Sequence, residues 1–355
     1  MKYVDLNKNK FGKKKKKLLT KKRAILVVAL VVASFLIHYS SFDFRSLLTP
    51  VSVFSQIINP RNLDQTDGRT NILALGVDRR SNAGYVSGTL TDTIMVASID
   101  PQSKKATIVS IPRDLWVKMD DYTSGKINSA YAFGGVGLTQ KVVERVLGIP
   151  VHYFVVVDFK SFEEAVDVLG GLEVNVENAF DDYKYPIFGK ELDECDGDTE
   201  LKCRYEHLHF DAGLQQMNGE TALHFARSRH AEGVEGGDFA RIARQQKVAL
   251  AAKDKALSLK TLTHPKKLKE LYDLFSDSLE TNVSFKEIER LYQLSRGFDG
   301  EKINSYVLSG AWDDENALLY TPEAELYGGA FVLVPKAGNY SEIHYFVQKL
   351  LFGSD

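Results

Sequence analysis

The chain has 355 residues, of which 44% are hydrophobic and 26% are charged, a composition typical of a globular protein with one large or two small domains. Its net charge of −2 conceals a division, because residues 1–23 carry eleven Lys or Arg and a single acid, whereas the remainder carries 34 basic and 46 acidic residues. An acidic body argues against a nucleic-acid binder, and it requires that an anionic ligand be held by a local cluster of cations.

The N-terminal segment indicates the compartment. Residues 24–42 are predominantly apolar and long enough to cross a bilayer, and the basic run before them places residues 1–23 in the cytoplasm. A cleaved signal peptide is the alternative, but no A-x-A cleavage site follows the apolar run. Both interpretations put the body outside the cytoplasm. We predict a basic cytoplasmic tail (1–23), a single transmembrane anchor (24–42), a juxtamembrane linker (43–68) and one extracytoplasmic domain (69–347).

Strands and helices alternate irregularly after the linker. Three short apolar segments, 72–77, 93–99 and 106–111, predict strands joined by tight connections. The elements predicted next are a helix at 138–147, a buried strand at 152–159 and a helix that opens with a capping-box pattern at Ser161 and closes at Gly170-Gly171.

The second half of the chain continues the mixture. We predict a strand at 172–176, an acidic insert at about 181–212, helices at 218–227, 238–257 and 264–296, and strands at 303–309 and 330–335. A strict βαβ rhythm is missing. The pattern therefore indicates an α/β (α+β) domain in which helices flank a mixed central β-sheet.

Three charged residues stand at the ends of the first three strands. Asp78 ends the first, Asp92 begins the second and Arg113 follows the third. If these strands form an antiparallel meander, the three side chains share one edge of the sheet, where carboxylates suit Mg²⁺ and the guanidinium suits phosphate. Each could instead be a solvated charge. The long loop 79–91 is suited to closing over a ligand, and Lys126 is a further candidate cation, although alone it would be a surface lysine.

A second group of charges lies near the helix predicted at 238–257. Asp238, Arg241 and Gln245 fall on one helical stripe together with apolar residues, so the stripe faces the body of the protein. Arg227 and Arg229 precede this helix. The alternative is that Asp238 merely caps the helix and pairs locally with Arg241, but this leaves the other arginines unexplained. We interpret the neighbouring His230 as a bystander.

Cys195 and Cys203 are the only cysteines, and both lie in the acidic insert. Outside the cytoplasm a close pair of cysteines predicts a disulfide. Metal binding is the weaker alternative, because no C-x-x-C spacing occurs.

Five motifs follow one another in the sequence: Ile111-Pro-Arg-Asp, Lys126-Ile-Asn-Ser-Ala-Tyr, Val156-Val-Asp-Phe, Ala226-Arg-Ser-Arg-His and Gly237-Asp-Phe-Ala-Arg-Ile-Ala-Arg-Gln-Gln. Together they resemble the LytR-CpsA-Psr family over roughly residues 69–260. Two features depart from the family pattern. Leu90 stands where members often carry an arginine two residues before Asp92, and the cysteine-containing insert is unusual.

The resemblance implies roles for particular residues. It assigns pyrophosphate binding to Arg113, Lys126, Arg227, Arg229, Arg241, Arg244 and Gln245, and a Mg²⁺ (or Mn²⁺) site to Asp78, Asp92 and Asp238. Arg113, Arg227, Arg229 and Asp92 are the residues it makes catalytic. The general base is not obvious, and Asp92 and Asp114 are both candidates.

The activity implied by the resemblance is transfer of a polymer from a polyprenyl-pyrophosphate carrier to a sugar hydroxyl of peptidoglycan, with formation of a phosphodiester. Phosphoryl transfer needs positioning and charge stabilisation more than a protein nucleophile, and the sequence has no Ser-His or Cys-His signature. The expected partners are the lipid-linked glycopolymer, peptidoglycan and the membrane, without nucleic acid. The alternatives are a polyprenyl-lipid or wall-polymer binding protein, a pyrophosphate hydrolase and, less favoured, a membrane-bound transcription attenuator.

Overall fold

The computed structural model describes residues 62–78, 89–120, 122–190, 192–258, 264–295, 303–308 and 317–353. The predicted tail and anchor, most of the linker and most of the loop 79–91 lie outside the described residues. Within the described residues, no helix has both the length and the apolar character that a membrane crossing requires.

A six-stranded mixed sheet forms the centre of the domain. Its strands are β1 (Thr70–Val77), β2 (Thr91–Asp100), β3 (Lys105–Ser110), β6 (Tyr153–Asp158), β11 (Glu280–Thr281) and β12 (Ile303–Val307), in the order β11-β6-β1-β2-β3-β12. The three strands β1, β2 and β3 pair antiparallel, as the meander hypothesis requires, whereas β6 runs parallel to β1 and β12 runs parallel to β3. The predicted mixed central sheet is therefore confirmed.

Four two-stranded pairings lie outside the central sheet. Their strands are β4 (Trp116–Val117) with β5 (Gly125–Lys126), β7 (Leu172–Val176) with β10 (Gly213–Met217), β8 (Phe180–Pro186) with β9 (Tyr205–Phe210), and β13 (Leu319–Tyr320) with β14 (Val334–Pro335). The predicted acidic insert thus contains an antiparallel hairpin, β8–β9. Between its strands, Cys195 and Cys203 form the predicted disulfide, with their Cα atoms 5.5 Å apart.

Seven α-helices accompany the strands in the described residues: α1 (Ala130–Leu147), α2 (Phe159–Leu169), α3 (Gly219–Arg227), α4 (Gly237–Ala256), α5 (Pro265–Ser278), α6 (Phe285–Ser295) and α7 (Ser341–Phe352). The segment predicted as one helix at 264–296 is two helices, because the short strand β11 separates α5 from α6. Helix α1 begins earlier than predicted and is kinked at Gly134-Gly135.

The start of α2 also differs from the prediction. Its N-cap is Asp158, the last residue of β6, and not Ser161, because the Asp158 carboxylate accepts hydrogen bonds from the backbone N–H groups of Lys160 and Ser161. Helix α2 therefore follows β6 without a loop. Its C-cap is Gly170, in the left-handed conformation, as predicted.

Three hydrophobic clusters hold these elements together, and the two largest position the elements around the site. The larger packs one face of α1, including Leu138, Val142 and Val146, with buried side chains of β1, β2 and β3. The smaller joins α2, α3, α4 and β7 through residues such as Phe225 and Val248. Because α3 and α4 belong to the smaller cluster, apolar packing fixes their positions relative to each other and to β7.

Candidate functional site

One edge of the β1–β2–β3 meander carries the first part of the site. Asp78 directly follows β1, and Arg113 lies three residues beyond β3. Asp92 is the extra residue of a β-bulge, since Gly76 pairs with Thr93 and Val77 pairs with Thr91. Such bulges redirect a side chain, and here Asp92 Oδ1 accepts a 2.6 Å hydrogen bond from Arg113 Nη1.

The N-terminal turns of α4 supply the second part. The side chains of Arg241 and Gln245 are buried, with relative exposures of 3% and 7%. Asp238 Oδ1 lies 2.6 Å from Arg241 Nη2 and 3.7 Å from Arg113 Nε, so Asp238 links the helix to the sheet edge. Gly236 occupies the N-cap position, so the alternative in which Asp238 caps the helix is wrong, whereas the local pair with Arg241 that it included is present.

Helix α3 and the segment after it bring two more arginines. Asn218 caps α3 by accepting a hydrogen bond from the Thr221 N–H, and the helix ends at Arg227. Arg227 Nη2 donates to Asp78 Oδ2 at 3.1 Å, and its guanidinium lies 4.8 Å above the ring of Phe159.

These elements enclose a cavity of about 80 Å³, whose lining residues are Asp92, Arg113, Asp182, Tyr185, Pro186, Arg227, Arg229, His230, Arg241 and Gln245. Four arginines that come from three separate parts of the chain therefore converge, as the two sequence clusters together predicted. His230, interpreted as a bystander, also faces the cavity.

Several polar atoms of the arginines and acids at the cavity have no hydrogen-bond partner in the described part of the chain. Among the described residues, Arg113 Nε and Arg241 Nε are buried without a hydrogen-bond acceptor, and Asp238 Oδ2 is buried without a donor. Arg229 differs from the other three arginines, because within the described part of the chain its guanidinium makes no ion pair or hydrogen bond. Buried donors of this kind are costly unless a ligand accepts their hydrogen bonds.

The charges in the cavity shift one another's pKa values. Burial raises the pKa of Asp92, but the charges of Arg113 and Arg241 outweigh it and hold the Asp92 pKa below its usual range. Burial lowers the pKa of Arg113, whereas Asp92 and Asp238 bring the net shift above the ordinary value. For Arg229, burial and the charge of Arg113 both lower the pKa. Asp92 is therefore an anion at neutral pH.

Asp182 is a cavity residue that the sequence did not single out. It is completely buried and accepts four hydrogen bonds, from the Ser228 hydroxyl and from the backbone N–H groups of Lys184, Arg229 and His230. The sequence places it among many acids of the insert. The one available signal is that Asp182 shares a strand face with the apolar residue Phe180.

Two predicted phosphate-binding residues do not line the cavity. Lys126 Nζ donates to Asp114 Oδ1 at 2.6 Å, which engages the carboxylate that was the second candidate base. Arg244 is 1% exposed and donates to the backbone oxygens of Phe225, Ser228 and Glu235 and to the Glu235 carboxylate. Its assignment to the pyrophosphate is therefore corrected, because protein acceptors occupy its guanidinium.

The predicted metal ligands are not gathered into one cluster. Among the described residues, the only three potential ligand side chains within 4.8 Å of one another are Asp193, Cys195 and Cys203, and their sulfurs are joined in the disulfide. Asp78 contacts Arg227, whereas Asp92 and Asp238 both contact Arg113. Because Mg²⁺ is commonly held by one or two carboxylates plus phosphate oxygens, Asp92 and Asp238 fit such an ion better than all three acids do.

A mixed α/β domain with an arginine-lined cavity belongs to the class of proteins that bind phosphate-containing ligands. Comparison with known families identifies the family within that class. The sequence profile of the LytR_cpsA_psr family matches residues 48–327. The chain therefore belongs to the LytR-CpsA-Psr family, as its motifs predicted.

Among its relatives is the polyisoprenyl-teichoic acid–peptidoglycan teichoic acid transferase TagV of Bacillus subtilis, 30% identical over 72% of this chain and 61% of TagV. The regulatory protein MsrR of Staphylococcus aureus is 32% identical over 67% of this chain and 63% of MsrR. The chain thus spans less than two thirds of the length of these relatives.

Solved structures share the fold. The crystal structure of B. subtilis TagV has a TM-score of 0.58 and 26% identity, and covers 82% of this chain and 100% of that chain. The structure of TagT bound to LIIa-WTA has a TM-score of 0.56 and 25% identity, and covers 82% of this chain and 94% of that chain.

Proposed function

We propose that this protein is a phosphotransferase that moves a glycopolymer from a polyprenyl-pyrophosphate carrier to a sugar hydroxyl of peptidoglycan. The observation that carries the proposal is the convergence of Arg113, Arg227, Arg229 and Arg241 on one cavity. In the part of the chain that the structure describes, the Arg229 guanidinium makes no ion pair or hydrogen bond. The names of TagV and of the TagT complex support a wall polymer as the transferred group.

The charge balance of the cavity suits a diphosphate. Four guanidiniums would repel one another, and Asp92, Asp238 and Asp78 offset only part of that repulsion. A lipid-linked diphosphate carries about two negative charges, and each guanidinium offers fork donors that match two phosphate oxygens. The buried Nε donors of Arg113 and Arg241 would gain acceptors from it.

We place the Mg²⁺ or Mn²⁺ ion at Asp92 and Asp238, where the oxygen Asp238 Oδ2 is buried without a hydrogen-bond partner among the described residues. When bound, the ion would neutralise charge on the diphosphate and on the departing lipid phosphate. Asp78 then has a different role from the predicted one, since its contact with Arg227 orients that guanidinium toward the cavity.

The proposed reaction forms one phosphorus–oxygen bond and breaks another. The acceptor hydroxyl oxygen attacks the phosphorus that bears the polymer, the bond to the bridging oxygen breaks, and polyprenyl phosphate leaves with that oxygen. The arginines stabilise charge on the phosphoryl oxygens in the transition state. We assign the hydroxyl proton to Asp92, because Asp92 lines the cavity whereas Asp114 does not.

The test is to incubate the full-length protein in lipid vesicles with a polyprenyl-diphosphate glycan and peptidoglycan, with and without added Mg²⁺ or Mn²⁺. If the glycan carries a label, we expect the label to become covalently attached to peptidoglycan, and we expect EDTA to abolish this attachment. Release of soluble glycan phosphate without attachment would indicate the hydrolase. Tight binding of the donor without turnover would indicate the binding protein, and either result would refute the proposed transfer.

The proposal includes the location. We propose that residues 24–42 anchor the protein in the cell membrane and that the domain lies on the outer side, where both the lipid carrier and peptidoglycan are present. The regulatory alternative draws on the names of relatives such as MsrR. The sequence contains no motif that resembles a DNA-binding element, and the body is acidic, so the transferase has the stronger support.

A further inference from the structure

The positions of Arg227 and Arg229 depend on an irregular segment. Helix α3 ends at Arg227, and residues 228–232 lead to a short 3₁₀ turn at Gly233–Glu235 before α4 begins. Residues 228–230, which we call the arginine segment, belong to no helix or strand. The Ser228 N–H donates to the His224 carbonyl at the C-cap of α3, and the Arg229 carbonyl accepts from the Gly237 N–H. Ser228, its first residue, is fully buried. The remaining polar groups of the segment must therefore find partners elsewhere in the chain.

Asp182 satisfies the donors of the arginine segment. Its Oδ2 accepts from the Ser228 hydroxyl at 2.7 Å and from the backbone N–H groups of Arg229 and His230 at 3.1 and 3.2 Å. Oδ1 accepts from the Lys184 N–H at 2.9 Å and lies 3.9 Å from His230 Nδ1. A carboxylate whose oxygens serve protein donors in this way would repel a phosphate, so Asp182 acts on the ligand through the segment.

Arg244 satisfies the acceptors on the other side. Its guanidinium donates to the backbone oxygens of Phe225 and Ser228 and to Glu235, and lies 4.8 Å above the ring of Phe180. Phe180 and Asp182 are two residues apart on β8 and therefore lie on the same face of that strand. The end of α3 and the arginine segment are thus held between a buried anion that accepts and a buried cation that donates.

We propose that Asp182 and Arg244 are positioning residues, which fix the arginine segment so that Arg227 and Arg229 meet the diphosphate in a productive geometry. This inference rests on the proposed function. It also gives the disulfide-closed hairpin a purpose, because β8 supplies Asp182, and it explains Arg244 without a ligand contact. Charge-assisted hydrogen bonds to a buried carboxylate are among the stronger contacts in proteins, so their loss would loosen the segment.

The first experiment compares Asp182→Asn with Asp181→Asn. Asp181 precedes it on β8 and is partly exposed, and among the described residues its carboxylate pairs with His207 and His209. Backbone amide exchange of residues 229–230 should accelerate in Asp182→Asn and stay at the wild-type rate in Asp181→Asn. Unchanged exchange in Asp182→Asn would overturn the proposal whatever the enzymatic activity proves to be.

The kinetic readout separates positioning from general stability. Measured well below the unfolding temperature, kcat/KM of Asp182→Asn should fall by roughly ten- to a hundredfold, mostly in kcat, because misplaced arginines lose contacts made in the transition state. Wild-type kcat and KM in the folded variant would overturn the proposal. If the wild type itself transfers nothing, the proposed function fails, while the amide exchange still decides whether Asp182 holds the segment.

Arg244→Lys provides a second variant should Asp182→Asn fold poorly. It retains the charge but loses the fork that reaches several backbone oxygens, so we expect a similar fall in kcat and a similar rise in exchange. Arg290→Lys on α6, outside the cavity, is the matched control. Because both residues hold the same segment, the double variant should lose less than the product of the two single effects. Fully multiplicative losses would contradict a shared role.

Discussion

The arginines of the cavity are not equivalent at the scale of single residues. Arg113 is shared between Asp92 and Asp238, Arg227 is oriented by Asp78 and the ring of Phe159, and Arg229 has no such partner within the described residues. A guanidinium held by two groups has a fixed direction, so its fork geometry matters as much as its charge.

Arg227→Lys tests that distinction. The ammonium keeps the charge but cannot contact Asp78 and two phosphate oxygens in one plane, so transfer should fall by about 10²–10³-fold. Circular dichroism and the thermal midpoint should stay near those of the wild type, because Arg227 is partly exposed. Arg290→Lys should transfer normally. Wild-type rates for Arg227→Lys would remove Arg227 from the site.

The pKa of Asp92 predicts an acid-side effect on stability. Because arginine charges hold the folded-state pKa below the unfolded value of about 3.9, Asp92 stabilises the fold above that pH, and the contribution disappears as pH falls through the folded-state pKa. Urea unfolding from pH 6 to pH 3 should therefore show a smaller loss of stability in Asp92→Asn than in the wild type. The exposed Asp254→Asn variant serves as control, and equal losses in Asp92→Asn and the wild type would contradict the shift.

Sequence patterns revealed the arginines but not the groups that support them. Arg241 and Gln245 followed from a helical stripe of charge among apolar residues. Asp182 was missed and Arg244 was assigned to the pyrophosphate, because their observed roles depend on contacts with residues 46 and 16 positions away along the chain, which no local spacing encodes. Strand ends suggested Asp78 and Asp92 as metal ligands, and the family resemblance added Asp238. Neither kind of evidence reveals which carboxylates an arginine already occupies.

At the scale of elements, α1 illustrates how one residue ends a helix. Gly148 has φ +69°, and its N–H donates to the Glu144 carbonyl. A Cβ at this position would lie 2.7 Å from the ring of His344. A side chain there would meet both an unfavourable backbone conformation and a packed neighbour.

Gly148→Ala should therefore lower the free energy of unfolding by about 1–2 kcal/mol, from the left-handed conformation and the displaced ring. The matched control is Gly137→Ala in the same helix, where the added methyl group meets no atom within 4 Å. That change should be neutral or stabilising by about 0.5–1 kcal/mol. Denaturant titration of both variants measures the contrast, and equal stabilities would refute it.

The disulfide-closed hairpin gives a second prediction at this scale. Cys195 and Cys203 are eight positions apart, so the closed loop is short and the bond contributes at most about 2–3 kcal/mol. The Cys195→Ser/Cys203→Ser variant should fold, unfold at a lower denaturant concentration and keep β8–β9 paired through Phe180 and Phe210. Stoichiometric thiol labelling of natively exported wild type would disprove the bond.

Long patterns were predicted well and short ones were not. The meander, the buried strand β6 and the helix α4 have sustained periodicity or apolar runs, and all are present. The strand β11 has two residues and no pattern, so the helix it interrupts was predicted as continuous. The start of α2 was misplaced because a capping-box sequence at Ser161 competed with Asp158, whose carboxylate takes the cap in the folded chain.

At the scale of the whole molecule, the sequence predicts an orientation that the described residues do not test. The basic segment 1–23 before the apolar run 24–42 predicts that the C-terminal end lies outside the cytoplasm. In intact cells, an alkaline phosphatase fused after Asp355 should be active, whereas a green fluorescent protein fused there through the general export route should not fluoresce. The opposite pattern would overturn both the anchor and the proposed location.

The sharing of Arg113 between Asp92 and Asp238 has a thermodynamic consequence. A lone anion that recruits Arg113 must weaken two existing ion pairs, and a lone cation at those carboxylates must do the same from the other side. When an anion and a cation bind together, Arg113 pairs with the anion and the two carboxylates pair with the cation, so new ion pairs replace those that are lost. Their affinities are therefore linked, and each should raise the affinity of the other by the same factor. Titration calorimetry with inorganic pyrophosphate, with and without Mg²⁺, would measure this reciprocity, after correction for the complex that the two ions form in solution.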